Sequence, residues 1–309
     1  MIEKYKTNHN NSHQDEIKFK ELFSLLWAGR KLIIIATSFF AVCSIFYALS
    51  LSDYYKSHAV VSLAKAPGEG SSFSGMSGLA SIAGINVSSG AETGALVINT
   101  VRSRAFLKHL LSIEDVLPSL MADESYDSES KKLVFKSNIY DAVNKKWLET
   151  QPSYLKTYNV YMGQVSIDYN ALQRLIFLSV EHKSPIFAKK FMDLIIREAD
   201  AKIRQIDFER SSDALAYLTT EISKTSLIEM RSSINQLIMS QLETQMMTQI
   251  SSNYILNVIE PPYIPEIKSK PSRSLICLFG TVLGLVIGIV SILTRHYYAL
   301  NTAQLTSKS

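Results

Sequence analysis

The order of apolar and polar positions divides the chain into three parts. Two runs carry no charge at all, Leu32–Ser52 and Ser274–Thr294, and each is 21 residues long. A helix needs about 20 apolar residues to cross the hydrocarbon core of a bilayer, so both are long enough to span. A buried core helix of this length would show a polar face, and neither run does. The first reads as an uncleaved anchor rather than a cleaved signal, because 31 residues precede it and it exceeds the usual apolar region of about 7–15 residues. Between the spans the period changes. Residues 58–65 read as a short strand rich in β-branched side chains. From Glu92 to Leu111, the positions Ala95, Leu96, Ile98, Val101, Ala105, Phe106 and Leu110 follow helical spacing. Val165–Tyr169 and Leu175–Val180 alternate as the strands of a hairpin through Asn170, and Tyr254–Ile259 reads as another strand. Residues 112–163 are polar, with helices expected around Lys131–Lys146.

The longest pattern follows Ser184-Pro185, a capping serine with proline at the first helical position. No Gly or Pro occurs again until Pro261, and apolar residues recur in steps of three and four from Phe187 to Leu237. One helix over 184–250 would be roughly 100 Å long at about 1.5 Å per residue, a projecting, coiled-coil-like stalk. A break into two helices near Arg210–Ser212 is the competing reading.

Two segments are built differently. Residues 68–90 hold six Gly and seven Ser, a composition that cannot bury a full core and reads as a loose loop. Its Gly68-x-Gly70 lacks the third glycine and the Gly-Lys-Ser/Thr of a phosphate cradle. Half of the eight prolines fall between Pro261 and Pro271. Proline fixes φ and removes an amide donor, so this stretch reads as a stiff extended connector rather than helix or sheet. In the second span Gly280, Gly284 and Gly288 are spaced four apart and share one helix face. Glycines there let another helix approach closely in lipid. Ser44, Ala48 and Ser52 form a weaker matching stripe on the first span, and the sequence leaves open whether the partner lies in the same chain or another.

Charge adds orientation. Arg30 and Lys31 directly precede the first span, whereas only Asp53 and Lys56 soon follow it. The positive-inside rule then places both termini in the cytoplasm, although Lys268, Lys270 and Arg273 before the second span pull the other way. The 221 residues from Asp53 to Arg273 hold 24 basic and 24 acidic side chains, so the middle is neutral and offers no nucleic-acid surface. The two cysteines, Cys43 and Cys277, lie within the spans, which excludes a disulfide scaffold and a cysteine zinc site. The six histidines are scattered, and no hydrolase or metalloprotease motif occurs. No metal or cofactor is expected, and no catalytic residue. Asp123/Glu124, and Asp200 near Arg204, read as solvated helix-face charges.

These parts resemble the Wzz family, the polysaccharide co-polymerases that act as O-antigen chain-length determinants. Four places carry the resemblance: the amphipathic lead-in at Asp15–Trp27, Val101-Arg-Ser-Arg-Ala-Phe-Leu107, Ser184-Pro-Ile-Phe-Ala188, and Val258–Arg273. The last is the most specific, with Pro262, Pro265, Pro271 and Arg273 matching the family's proline motif and Lys268 departing from it. The resemblance implies an α+β membrane protein in which two transmembrane helices flank a periplasmic α/β base with a long helical stalk. Its expected parts are a cytoplasmic segment 1–31, a span 32–52, a periplasmic domain 53–273, a span 274–294 and a cytoplasmic tail 295–309. Within the domain, 53–183 and 251–260 would form the base, 184–250 the long helix and 261–273 the connector.

The resemblance further implies a non-enzymatic scaffold in the bacterial inner membrane. It would be a ring-shaped, octamer-like homo-oligomer governing the length of O-antigen made by a separate polymerase on a lipid-linked precursor. Self-association through the stalk and the glycine face would build it. Control of capsule, exopolysaccharide or enterobacterial common antigen is the alternative. Longer relatives carry a kinase after the second span; the 15 residues after Thr294 lead to the expectation that this chain has none.

Overall fold

The computed structural model describes residues 27–64, 90–224, 226–251 and 253–306. The lead-in at 15–26 and the Gly/Ser stretch up to residue 89 lie outside them. The chain forms two compact units: one combines the residues up to Ser52 with those from Lys270 onward, and the other is Asp53–Ser269.

In the first unit, α1 (Arg30–Ser50) is the first apolar run. The larger unit begins with β1 (Tyr54–Leu63). Its residues Ser57, Ala59, Val61 and Leu63 are buried, as expected when successive side chains point to opposite faces. Next come α2 (Gly90–Arg102), α3 (Arg104–Leu111) and the short α4 (Val116–Met121). The expected helix over 92–111 is therefore two. Ser103 leaves helical geometry, and its Oγ accepts from the Phe106 amide at 3.1 Å, capping α3.

The region expected to be helical around 131–146 instead holds two small hairpins, β2 (Asp123–Asp127) with β3 (Lys132–Phe135), and β4 (Tyr140–Asp141) with β5 (Lys146–Trp147). The turns decide it. Asp127 accepts from the Glu129 amide at 3.0 Å and the Ser130 hydroxyl at 2.6 Å. Asp141 accepts from the Val143 and Asn144 amides at 2.9 and 3.1 Å. Such turns by aspartate compete with helix formation, and Leu133-Val134-Phe135 suits a strand.

After α5 (Tyr154–Gln164), β6 (Val165–Asn170) and β7 (Leu175–His182) form the expected hairpin. The sheet is antiparallel in the order β6-β7-β1-β8, where β8 is Leu256–Glu260; a three-residue β9 (Lys268–Lys270) also pairs with β1. One sheet face is covered by α6 (Pro185–Lys224). Ala188, Phe191, Met192, Ile195, Ala199 and Ile203 are all buried at steps of three and four, against Val61, Ile176, Leu178 and Val180 from the strands. Each large side chain so buried contributes about 1.5–3 kcal/mol.

The single helix over 184–250 is not formed. α6 ends at Lys224, and α7 (Ile228–Ile250) starts after an extended Leu227 with φ −74° and ψ 123°. The break lies 14 residues beyond the position weighed from sequence (210 to 224), where Ser223 and Ser226 offer hydroxyls that compete for backbone groups. α7 runs back antiparallel beside α6: Gln245 Nε2 donates to Ser212 Oγ at 3.0 Å, and Ser211 and Thr248 are buried. The projecting element is thus a helical hairpin whose longer arm is about 60 Å, at about 1.5 Å per residue.

The chain closes with α8 (Arg273–Thr306), whose apolar portion lies antiparallel to α1.

Candidate functional site

Within the first unit, two helices are long and apolar enough to cross a membrane, Arg30–Ser50 and Arg273–Arg295. Gly280, Gly284 and Gly288 all face α1. A methyl carbon at 284 would stand 2.7 Å from Phe40 Cβ and 3.0 Å from Thr37 Cα; one at 288 would stand 3.1 Å from Ile33 Cα. One at 280 would collide with Ser44. Backbones this close leave no room for a side chain, and dispersion over the contact holds helices together in lipid. The partner of the glycine face is therefore the chain's own first span. The complementary stripe runs through Ile33, Ala36, Thr37, Phe40 and Ser44. Ser52 lies beyond the end of α1.

In the larger unit the proline connector lies along β1. Pro262 and Pro265 are buried, and Ser57 Oγ donates to the Tyr263 carbonyl at 2.8 Å. The connector's end corrects the expectation that it avoids the sheet. β9 pairs with β1, Ser269 Oγ donates to Glu181 at 2.6 Å, and Lys268 Nζ reaches Asp53 at 2.7 Å. Beyond it, Pro271 is half-buried and Arg273 opens α8.

The root of α6 holds a polar network. Ser184 Oγ accepts from the Phe187 amide at 3.2 Å, and the Ser184 amide donates to His182 Nδ1 at 3.0 Å. His182 Nε2 donates to the Ser119 carbonyl at 2.8 Å. The acceptor role of Nδ1 leaves the proton on Nε2, so the neutral ring is satisfied on both sides. Burial drives its pKa below the ordinary histidine value, partly opposed by the Asp123 carboxylate. Asp123, read from sequence as a solvated helix charge, lies in β2, largely buried, with Lys183 Nζ at 3.2 Å.

Asp200 is the larger correction. Far from being solvated, it is 8% exposed. Its carboxylate accepts from the backbone amides of Tyr254, Ile255 and Leu256 at 2.7–3.1 Å and pairs with Arg204 at 3.0 Å. These amides lead into β8, so one side chain ties the returning chain to α6. The signal was present in the sequence: position 200 falls between Ile196 and Ile203 on the helix's apolar stripe. Two turns on, the Tyr254 hydroxyl donates to Asp207 at 3.0 Å. Burial raises the Asp207 carboxyl and, with that carboxylate beside it, the Tyr254 phenol.

A third network satisfies the end of α2. The last carbonyls of a helix lack intrahelical partners. Tyr158 and Tyr161 of α5 donate to the Arg102 and Val101 carbonyls at 2.7 and 2.9 Å, and Tyr154 donates to that of Arg104. Their spacing of four and three puts the hydroxyls on one helix face. Arg102 Nη2 donates to the Ile167 carbonyl at 2.8 Å, joining this segment to β6.

Residues 15–113 match the model of one family, Wzz, described as chain length determinant protein. The matched segment takes in α1, β1, α2 and α3, and so both the glycine-facing stripe and the tyrosine-capped Val101–Leu107. A solved structure titled full-length bacterial polysaccharide co-polymerase is similar, with a TM-score of 0.40 and 10% identity, over 90% of this chain and 97% of that one. No curated protein matches the sequence.

Proposed function

We propose that this protein sets the modal length of lipopolysaccharide O-antigen, as an oligomeric scaffold in the bacterial inner membrane. The observation that carries the reading is the Wzz match over residues 15–113, which includes the first span and the start of the sheet domain. Both termini lie in the cytoplasm, and the domain between the spans faces the periplasm. Because α1 occupies the glycine face of α8, assembly of the ring falls to the sheet domain and the α6/α7 hairpin. The scaffold determines how long a separate polymerase stays with a growing chain on its lipid carrier. It needs no metal or cofactor for that.

The test is a silver-stained lipopolysaccharide gel from a strain deleted for the gene, with and without a plasmid copy. A modal ladder that becomes random on deletion and returns on complementation supports O-antigen length control. An unchanged ladder refutes it and directs the search to capsule, exopolysaccharide or common antigen.

A further inference from the structure

The Wzz-type reading names no place where the protein touches glycan. A cleft of about 720 Å³ lies between the α3–α4 turn, the two small hairpins and the first turns of α6. Its volume is that of a small-molecule site. The lining is aromatic: Tyr140 packs against Phe135 with ring centroids 5.3 Å apart, and Phe187 also lines the cleft. On its other side Tyr140 meets Trp147 at 5.2 Å, and Trp147 lines a smaller adjoining pocket that shares Glu114, Asp115 and Lys145 with the cleft.

The rim is charged, and most of the charge is committed. Lys145 pairs with Glu114 and Asp115, Asp193 with Lys189, and Arg197 with Glu198. Lys131 and Lys190 also line the cleft, and among the described residues neither side chain makes an ion pair or hydrogen bond. Lys131 and Lys145 sit at φ 54° and 50°, a left-handed backbone that costs a residue with a side chain about 1 kcal/mol. The hairpin turns thus hold two cationic side chains at the cleft where glycine would be easier.

A lipid tail would make no use of these rim charges, and a neutral ligand would leave the two ammonium groups unanswered. A pyranose ring presents an apolar C–H face to aromatic walls and hydroxyls to a mixed rim, and an acidic one adds a carboxylate for the lysines. We propose that this cleft binds a segment of acidic polysaccharide, with sugar rings against the Phe135/Tyr140/Phe187 wall and a sugar carboxylate between Lys131 and Lys190. The assignment rests on the polysaccharide reading above and deepens it by placing the glycan contact and naming its charge.

The test uses the full chain in detergent with Trp27→Phe, which leaves Trp147 as the only indole of the two in the sequence. Hexagalacturonate is titrated while Trp147 emission is followed, with maltohexaose and inorganic phosphate as comparison probes. The expected result is saturable binding with a Kd of about 0.1–1 mM. Binding should weaken about tenfold or more for maltohexaose and for Lys131→Ala/Lys190→Ala. Both lysines are exposed, so the double variant should keep the wild-type melting temperature. Absence of binding, equal binding of the neutral hexamer, or an undiminished double variant overturns the proposal. Displacement by phosphate at equal concentration overturns it too, because the site would then be a bare anion site. Failure of the length-control reading appears separately, as an unchanged ladder in the deletion strain whatever the titration shows.

Discussion

Two antiparallel helix pairs in this molecule are held by opposite means. In α1/α8 the contact is closed: three glycines bring the backbones together, and added side-chain atoms would collide with Phe40, Thr37 or Ser44. In α6/α7 the contact is sparse. Among the residues of α7, only Ile234 and Thr248 are buried, while Met230, Met239 and Ile250 stand mostly in the open. The first pair is specified by its own interface, as lipid requires, since lipid gives apolar side chains no reason to leave it. The second takes its order from its root, where α6 lies on the sheet and Asp200 grips the returning chain. An exposed apolar face in water is a face for association.

The root is where the comparison breaks most easily. Asp200→Ala removes the acceptor of three backbone amides and the carboxylate paired with Arg204, and should destabilise the sheet domain by about 3–5 kcal/mol. Chemical denaturation of the detergent-solubilised chain measures it, and a loss under about 1 kcal/mol would mean that the hairpin does not depend on this clamp. Gly284→Leu attacks the other pair. Overpacking there should cost about 1–3 kcal/mol, leave the protein inserted, and shorten or randomise glycan length on the gel. A wild-type distribution would show that close span packing has no part in function.

A smaller effect comes from acid. His182 is buried and neutral, with its pKa lowered by burial, so the folded chain binds fewer protons there than the unfolded one. Its contribution is complete above about pH 6.5, the ordinary histidine value, and is lost as the pH falls below it. Melting temperature should drop between pH 7.5 and 5, and the drop should be shallower in His182→Asn. Equal slopes would remove His182 from the acid response. The least effect on folding should come from Met239→Asp, within about 0.5 kcal/mol, because the side chain is exposed. The same substitution should reduce self-association in light scattering; an unaltered oligomer would show that this face of α7 is not part of the assembly.

What could be read in the sequence follows the same division. The spans announce themselves by length without charge, and β6 and β7 by alternation, since each burial pattern is a property of the local period. The Ser184-Pro185 start of α6 is likewise local chemistry. The break between α6 and α7 was not legible, because no glycine or proline marks it and packing of α7 back on α6 helps select it over continued helix. The hairpins at 123–147 were missed because their signals are aspartate turns, hidden in a polar stretch. Asp200 was misread because pairing with Arg204 explained it too easily. Its position on the apolar stripe was the better guide. The cleft at the α6 root could not be seen at all, since its walls come from segments up to 84 residues apart (113 to 197).

The domain between the spans starts and finishes at one place. Asp53 and Lys268 touch at 2.7 Å, and β9 lies beside the start of β1. In topological terms the domain is a cassette inserted between two apolar helices, with its entry and exit closed by its own sheet. Because both ends leave from one corner, the domain could be exchanged between two-helix anchors without being refolded. Its joined ends also make it a natural subject for circular permutation, with the cut placed at an exposed turn such as 170–175.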